Sequence, residues 1–417
     1  MLRRLSSLGN QVRKLELLMA EALAGGCDCV VTVGGLQSNH CRATAAAARL
    51  VGLEAHLVLL VADHAAGDDP GLQGNLLLDR LLGANLHMCA ASDYYKYGGD
   101  LAAMDKLNQL VASRLRAQGR KPYVVPVGGT TPMSAWAYIS ATDELITQCR
   151  EGRLPTQEGG VPSEQGSVPP LPPQATERGR ATAAAETLPF DHIVFAAGSG
   201  GTATGLALGC HLAAVGAQLH AVNVQHTPAT YYEAIDAEAR ALGIDSPASR
   251  EWLTIHDGSS IGYGHSTTEL LESIRDTCAA SGVFCSRSLS LTHFLSLNFA
   301  HSLSLTHFIL PTLSHPLYLT HFLSHTHVFP IYVTPHVSYL SPRPVCFGGV
   351  LLDHVYTGKA LHFFCKAVRA DPEAFRGSRI LFWHTGGLFG LYSKSTPLKA
   401  LLPQEAVQRL EVPDLPA

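Results

Sequence analysis

Three polar side chains in a row, Ser38, Asn39 and His40, stand between two glycines and an alanine-rich stretch in "GGLQSNHCRATAAAARL" (34–50). The apolar run Cys29 to Val33 before them reads as a short buried strand, which puts the polar trio at the N-terminus of the next helix. Free backbone N–H groups and the positive end of the helix dipole suit such a place to a carboxylate or a phosphate. Ser38 alone also satisfies a plainer role, that of an N-cap with no ligand.

A second junction of the same kind is "GSGGTATG" (198–205), which follows the apolar run Ile193 to Ala197. Its four glycines expose backbone N–H groups where a helix opens, and phosphate is the natural guest; the plain alternative is a tight strand–helix turn. The stretch also fits the dinucleotide pattern G-x-G-x-x-A. That reading needs an acidic residue at the end of the next strand, whereas "HAVNVQH" offers Asn223 and Gln225. A phosphorylated cofactor without a ribose is the better expectation. No Lys-Ser/Thr pair follows, so this is not a Walker loop.

Both junctions need strands to end on and helices to begin. From Leu15 to Arg120, apolar runs at 29–33, 55–61 and 86–90 alternate with helical stretches, several closed by glycine. A second series contains 123–129, 192–201, 218–224 and 378–387. Such alternation predicts an α/β protein with parallel sheets flanked by helices.

With 417 residues, 46% of them hydrophobic, the chain has material for two lobes. A net charge of −4 and the lack of basic runs argue against nucleic acid as a partner. No apolar run is long enough for a membrane helix. The ten cysteines are scattered without a C-x-x-C pair, which reads as reduced, intracellular thiols and no metal site. "MLRRLSSLGN" has the flavour of a transit peptide but is too short for one, so the true N-terminus is expected to lie further upstream.

Two segments break the alternation. Residues 151–187 are rich in Pro, Gly, Gln and Glu and predict a disordered insert. In 284–347 the tetrapeptide "LTHF" recurs at 291, 305 and 319, and Arg287 and Arg343 are the only charges. Eight histidines fall there, yet a degenerate Ser/Leu/His/Phe repeat supplies nothing to fix a metal's ligands. The segment reads as translated non-coding sequence, such as a retained intron, and as prone to aggregate.

Six blocks in order, "GNQVRKLELLMAEAL", "GGLQSNHCRATAAAARL", "GNLLLDRLLGA", "AAGSGGTATGLALG", "LLDHVYTGKAL" and "LFWHTGGLFGLY", resemble the D-cysteine desulfhydrase and 1-aminocyclopropane-1-carboxylate (ACC) deaminase family. The resemblance implies a pyridoxal 5'-phosphate enzyme of the tryptophan-synthase-β (fold type II) architecture, a lyase of amino-acid metabolism. It implies a small lobe over 14–126 and a large cofactor-binding lobe from 1–13 and 127–417. It also implies a homodimer and a small amino-acid substrate. Gly198, Ser199, Gly200, Gly201 and Thr202 would hold the cofactor phosphate. Lys14, Ser38, Asn39 and His40 would hold the substrate carboxylate, and Asn39 would also reach the cofactor's phenolic oxygen. Tyr263 and Tyr356 would stand beside the leaving thiol, with Thr385 at the ring nitrogen and Thr357 near it. ACC deaminases carry Glu and Leu where this chain has Thr357 and Thr385, which points to β-elimination of D-cysteine, giving pyruvate, ammonia and hydrogen sulfide.

One position departs. The family's block G-N-K-x-R-K-L-E reads Gly9-Asn10-Gln11-Val12-Arg13-Lys14-Leu15-Glu16 here, so Gln11 stands where the Schiff-base lysine belongs. An amide is neither the nucleophile nor the base that elimination needs, and impaired activity is expected. Lys14, three residues on, would share roughly the same helix face. An imperfect gene model of a real enzyme and a non-catalytic paralogue both account for the departure.

Overall fold

The strand Val30–Val33 is buried on both of its faces, and that fixes the architecture around it. The structure is a computed structural model describing residues 9–65, 69, 71–151, 188–244, 246–279, 327–332 and 351–402. The inserts read at 151–187 and 284–347 lie outside the described residues, apart from Glu151 and the stretch 327–332.

The first sheet follows helix α1 (Gln11–Ala24). Its strands are β1 (Cys29–Gly35), β2 (Glu54–Val61), β3 (Asn85–Ala90) and β4 (Pro122–Val124), all parallel, in the order β3-β2-β1-β4. Between them run α2 (Asn39–Leu50), α3 (Gly74–Leu81), α4 (Ala91–Lys96) and α5 (Leu101–Ala117). The strand pleat sorts side chains between two layers. Val30, Leu57 and Leu59 pack with Val12, Leu15, Leu18 and the alanines of α2. Val31, Val33 and Val58 pack on the other face with Met104, Leu107 and Val111. Alanine on α2 lets that helix lie close to the sheet.

The second sheet follows α6 (Pro132–Arg150), which opens with a Thr131/Ser134 capping box and Pro132 in its first turn. Its strands are β5 (His192–Ala197), β6 (Gln218–Asn223), β7 (Leu253–Asp257), β8 (His327–Tyr332) and β9 (Arg379–His384), in the order β7-β6-β5-β9-β8. Only β8 runs antiparallel. Helices α7 (Gly201–Leu212), α8 (Pro228–Ala241), α9 (Thr268–Ala279) and α10 (Thr357–Ala370) flank it. The strand β8 falls inside the low-complexity repeat segment and adds to the sheet at its edge.

In both sheets the chain winds outward from a central strand and later returns to its other side. β1 and β5 are therefore the switch points, and ligands bind at the carboxyl ends of such strands. Those ends carry the two junctions singled out in the sequence, 35–38 and 198–200. The helix α1 packs on both α2 and α6 and joins the two halves. At the α6–α7 contact, a Cβ on Gly209 would lie 2.6 Å from Thr142 Oγ1, so only glycine permits this approach.

Candidate active site

One cavity collects both junctions, the start of α1, and the tyrosines at 263 and 356. Its floor is the turn Gly198–Ser199–Gly200 ahead of α7. Gly200 has φ +99°, a backbone that side chains with a Cβ avoid, and a Cβ on Gly198 would lie 2.6 Å from the Tyr356 ring. Tyr231, buried behind the turn, sets its hydroxyl against the carbonyls of Ala197 (3.1 Å) and Gly198. The first-turn N–H groups of α7 have no intrahelical acceptor and open into this turn. Thr202 Oγ1 accepts a hydrogen bond from Asn10 Nδ2 (3.1 Å), and Ser199 Oγ accepts one from Thr130 Oγ1 (3.0 Å).

Across the cavity stands the start of α2. Ser38 is an N-cap, its Oγ accepting from Cys41 N at 3.1 Å, and it still borders the cavity. Asn39 Oδ1 accepts from Asn75 Nδ2 (2.9 Å), which turns the Asn39 amide nitrogen toward Gly387 at the rim. Asn75 is fully buried and also donates to the Gln37 carbonyl and accepts from Arg42 Nε, both at 2.9 Å. Thr32 gives its one hydroxyl hydrogen to Val125 O, so it accepts from His40 Nε2 at 2.9 Å. The His40 Nδ1 lone pair is consequently a buried acceptor with no partner. Burial pushes His40 down to about 3, which keeps the ring neutral.

The third wall is the first turn of α1. Gln11 and Lys14 both face the cavity. The Gln11 Oε1 is buried without a hydrogen-bond partner. Lys14 is 1% exposed and donates to the Gly128 carbonyl oxygen at 2.6 Å; burial lowers its ammonium from 10.5 to about 7. Asn10, just before them, is held on three sides: its N–H donates to Thr385 O (3.3 Å), its Nδ2 to Thr202, and its carbonyl accepts from Tyr138 Oη (2.5 Å).

Tyr263 and Tyr356 close the fourth side with their hydroxyls 2.7 Å apart. Burial raises Tyr263 to about 12 and Tyr356 well above its usual value, so both are proton-bearing phenols at neutral pH. Thr385 lines the cavity beside Gly386 and Gly387. Thr357 does not. Its hydroxyl donates to Asp353 Oδ1 at 2.6 Å and accepts from Asp353 N at 3.0 Å, inside the turn that begins α10. The sequence set Thr357 near a cofactor ring; in the structure its hydroxyl is held by the buried Asp353 carboxylate of the same turn. Gly201 is likewise behind the wall, against Thr130, whereas the other sequence-selected residues border the cavity. Sequence reasoning missed Asn10, Arg42, Gly128 and Asn75, whose roles come from contacts between distant segments.

The glycine turn, with space only for backbone, fits a phosphate, and the Asn39 amide fits an anionic ring oxygen. The orphaned Gln11 Oε1 and His40 Nδ1 show a polar cavity built to be filled. These residues fit pyridoxal phosphate in every respect but the lysine at position 11.

Comparison with known proteins agrees. Residues 3–162 match the family described as pyridoxal-phosphate dependent enzyme. A relative from Arabidopsis thaliana, the mitochondrial bifunctional D-cysteine desulfhydrase/1-aminocyclopropane-1-carboxylate deaminase, is 32% identical over 94% of this chain and 72% of its own length. The chain belongs to the D-cysteine desulfhydrase and ACC deaminase family. A D-cysteine desulfhydrase of Salmonella typhi is 38% identical to this family member over 34% of this chain and 41% of its own. Among solved structures, an ACC deaminase homologue superposes with a TM-score of 0.59 at 26% identity, covering 94% of this chain and 84% of that one. The family is one of pyridoxal-phosphate lyases with the fold type II architecture. No helix among the described residues is long and apolar enough to cross a membrane.

Proposed function

We propose that this chain is a carbon–sulfur lyase that converts D-cysteine and water to pyruvate, ammonia and hydrogen sulfide, working slowly because Gln11 replaces lysine. The observation that carries the reading is the convergence of the 198–202 turn, the α2 N-terminus and the Tyr263–Tyr356 pair on one cavity. When bound there, pyridoxal phosphate supplies an aldehyde for the amino group and a ring that delocalises the electron pair left by the departing α-proton.

The residues of the chain do the rest. The turn at 198–202 anchors the phosphate, and Asn39 Nδ2 faces the phenolic oxygen. The α2 N-terminus at Ser38–His40 receives the substrate carboxylate, where the helix dipole favours an anion. The paired phenols of Tyr263 and Tyr356 hold a proton that can pass to the departing sulfur. Gln11 has no lone pair basic enough to take the α-proton, and such a loss typically costs ~10²–10⁴-fold.

Pyruvate release from D-cysteine and from ACC, measured for the full chain and for Gln11→Lys, tests this. Release from D-cysteine, raised strongly by Gln11→Lys, supports the lyase. Preference for ACC would make it a deaminase. A folded Gln11→Lys protein that binds the cofactor and turns over neither would favour the second reading, a non-catalytic protein retaining the fold. The same proposal takes the protein to be an intracellular homodimer, cytoplasmic or mitochondrial. The name of the Arabidopsis relative supports the compartment, and light scattering tests the assembly.

A further inference from the structure

Position 11 lacks an amine, yet the cavity does not. Lys14 follows one helical turn later on the same face of α1, displaced along the axis by about 4.5 Å. Its Nζ meets no carboxylate among the described residues; its neighbour Arg13 turns instead to Glu144, at 2.6 Å. The carbonyl that receives the Lys14 Nζ belongs to Gly128, which has φ +65° and packs its Cα directly on the Ser199 side chain of the glycine turn. The Nζ atom therefore sits within one residue of the expected phosphate site, inside the cavity that Gln11 also borders.

We propose that Lys14 is the amine through which this chain takes up an aldehyde cofactor covalently, in place of the residue at position 11. The inference rests on the cavity's being a pyridoxal-phosphate site. The Lys14 Nζ lone pair attacks the aldehyde carbon, a carbon–nitrogen double bond forms, and the carbonyl oxygen leaves as water with the two amine hydrogens. The attacking amine must be neutral. Burial with no anionic partner supplies that near neutral pH, where an exposed lysine would be almost wholly charged. The Gln11 amide, shorter and uncharged, leaves Lys14 free of a competing ammonium at the head of the helix.

The experiment is borohydride trapping on the full chain. Pyridoxal 5'-phosphate is added, unbound cofactor is removed, the protein is reduced, and the adduct is mapped by tandem mass spectrometry. The expected result is near-stoichiometric labelling of Lys14, suppressed by inorganic phosphate and abolished in Lys14→Met. The double variant Gln11→Lys/Lys14→Met, labelled at position 11, shows that the Met side chain leaves the site folded. Saturable cofactor binding without an adduct at Lys14, while Gln11→Lys labels at position 11, overturns the proposal and leaves the cofactor reading intact. Labelling spread over exposed lysines and indifferent to phosphate also overturns it. No binding by either the natural chain or Gln11→Lys overturns both.

Discussion

The hydroxyl oxygens of Tyr263 and Tyr356 lie 2.7 Å apart, although 93 residues separate them in the chain. Their rings meet edge to face, with centroids 6.0 Å apart. One of the two must donate to the other, leaving a single hydroxyl hydrogen for the cavity. In the Gln11→Lys background, Tyr356→Phe keeps the ring that packs on Gly198 and removes that relay. Pyruvate release from D-cysteine should fall about 10²-fold in kcat, with pyridoxal-phosphate affinity nearly unchanged.

Lys14 makes stability depend on pH. Its folded-state value near 7 lies below its ordinary 10.5, so between those pH values the unfolded chain binds more protons. The contribution of Lys14 to the stability of the cofactor-free protein therefore rises from pH 7 to 10.5, and below pH 7 its burial costs at most about 5 kcal/mol. Lys14→Met forfeits a hydrogen bond to Gly128 worth about 1 kcal/mol. The variant should melt several degrees higher than the natural chain at pH 6.5, with the gap closing by pH 10; thermal denaturation across pH reads it.

Thr357 belongs to the frame around the site. Asp353 accepts from the N–H groups of Val355, Tyr356 and Thr357 and from the Thr357 hydroxyl, at 2.6–2.9 Å. Thr357→Val takes one of those donors from a buried carboxylate, at a cost of about 2–3 kcal/mol. The melting temperature should drop, Thr357→Ser should restore it, and cofactor affinity should stay within about twofold. A large loss of affinity with unchanged melting would return Thr357 to the cofactor.

Strand positions were legible where apolar runs end in glycine, as at Val33-Gly34-Gly35 and Ala197-Gly198, because turn chemistry marks the boundary sharply. The strand Leu253–Asp257 was not. It alternates buried and exposed residues at a sheet edge, and "LTIHD" carries too little apolar signal to stand out. The glycine turn and the α2 N-terminus could be read as anion sites because their chemistry is local. The Asn75 network and the Gly128 carbonyl could not, since each acts on a residue dozens of positions away. The Thr357–Asp353 hydrogen bond was hidden for a related reason. A hydroxyl four residues after an aspartate bonds to whichever partner the turn presents, and the sequence does not show the turn.

Asn75 ties the head of α3 to the stretch Gln37–Arg42 that opens α2, so its loss should appear in substrate binding as well as stability. Asn75→Leu keeps the volume but strips donors from Gln37 O and Asn39 Oδ1 and one acceptor from Arg42. The expected cost is about 2–4 kcal/mol. In the Gln11→Lys background, KM for D-cysteine should rise more than kcat falls, because the Asn39 amide is no longer held facing the cavity.

The three-way hold on Asn10 has a genetic consequence. Thr385, Thr202 and Tyr138 fix the backbone at the very place where α1 begins, whatever side chain follows at position 11. Glutamine and lysine codons differ only in their first base. A single nucleotide change would thus set an amine at position 11 on a backbone already held in place for it.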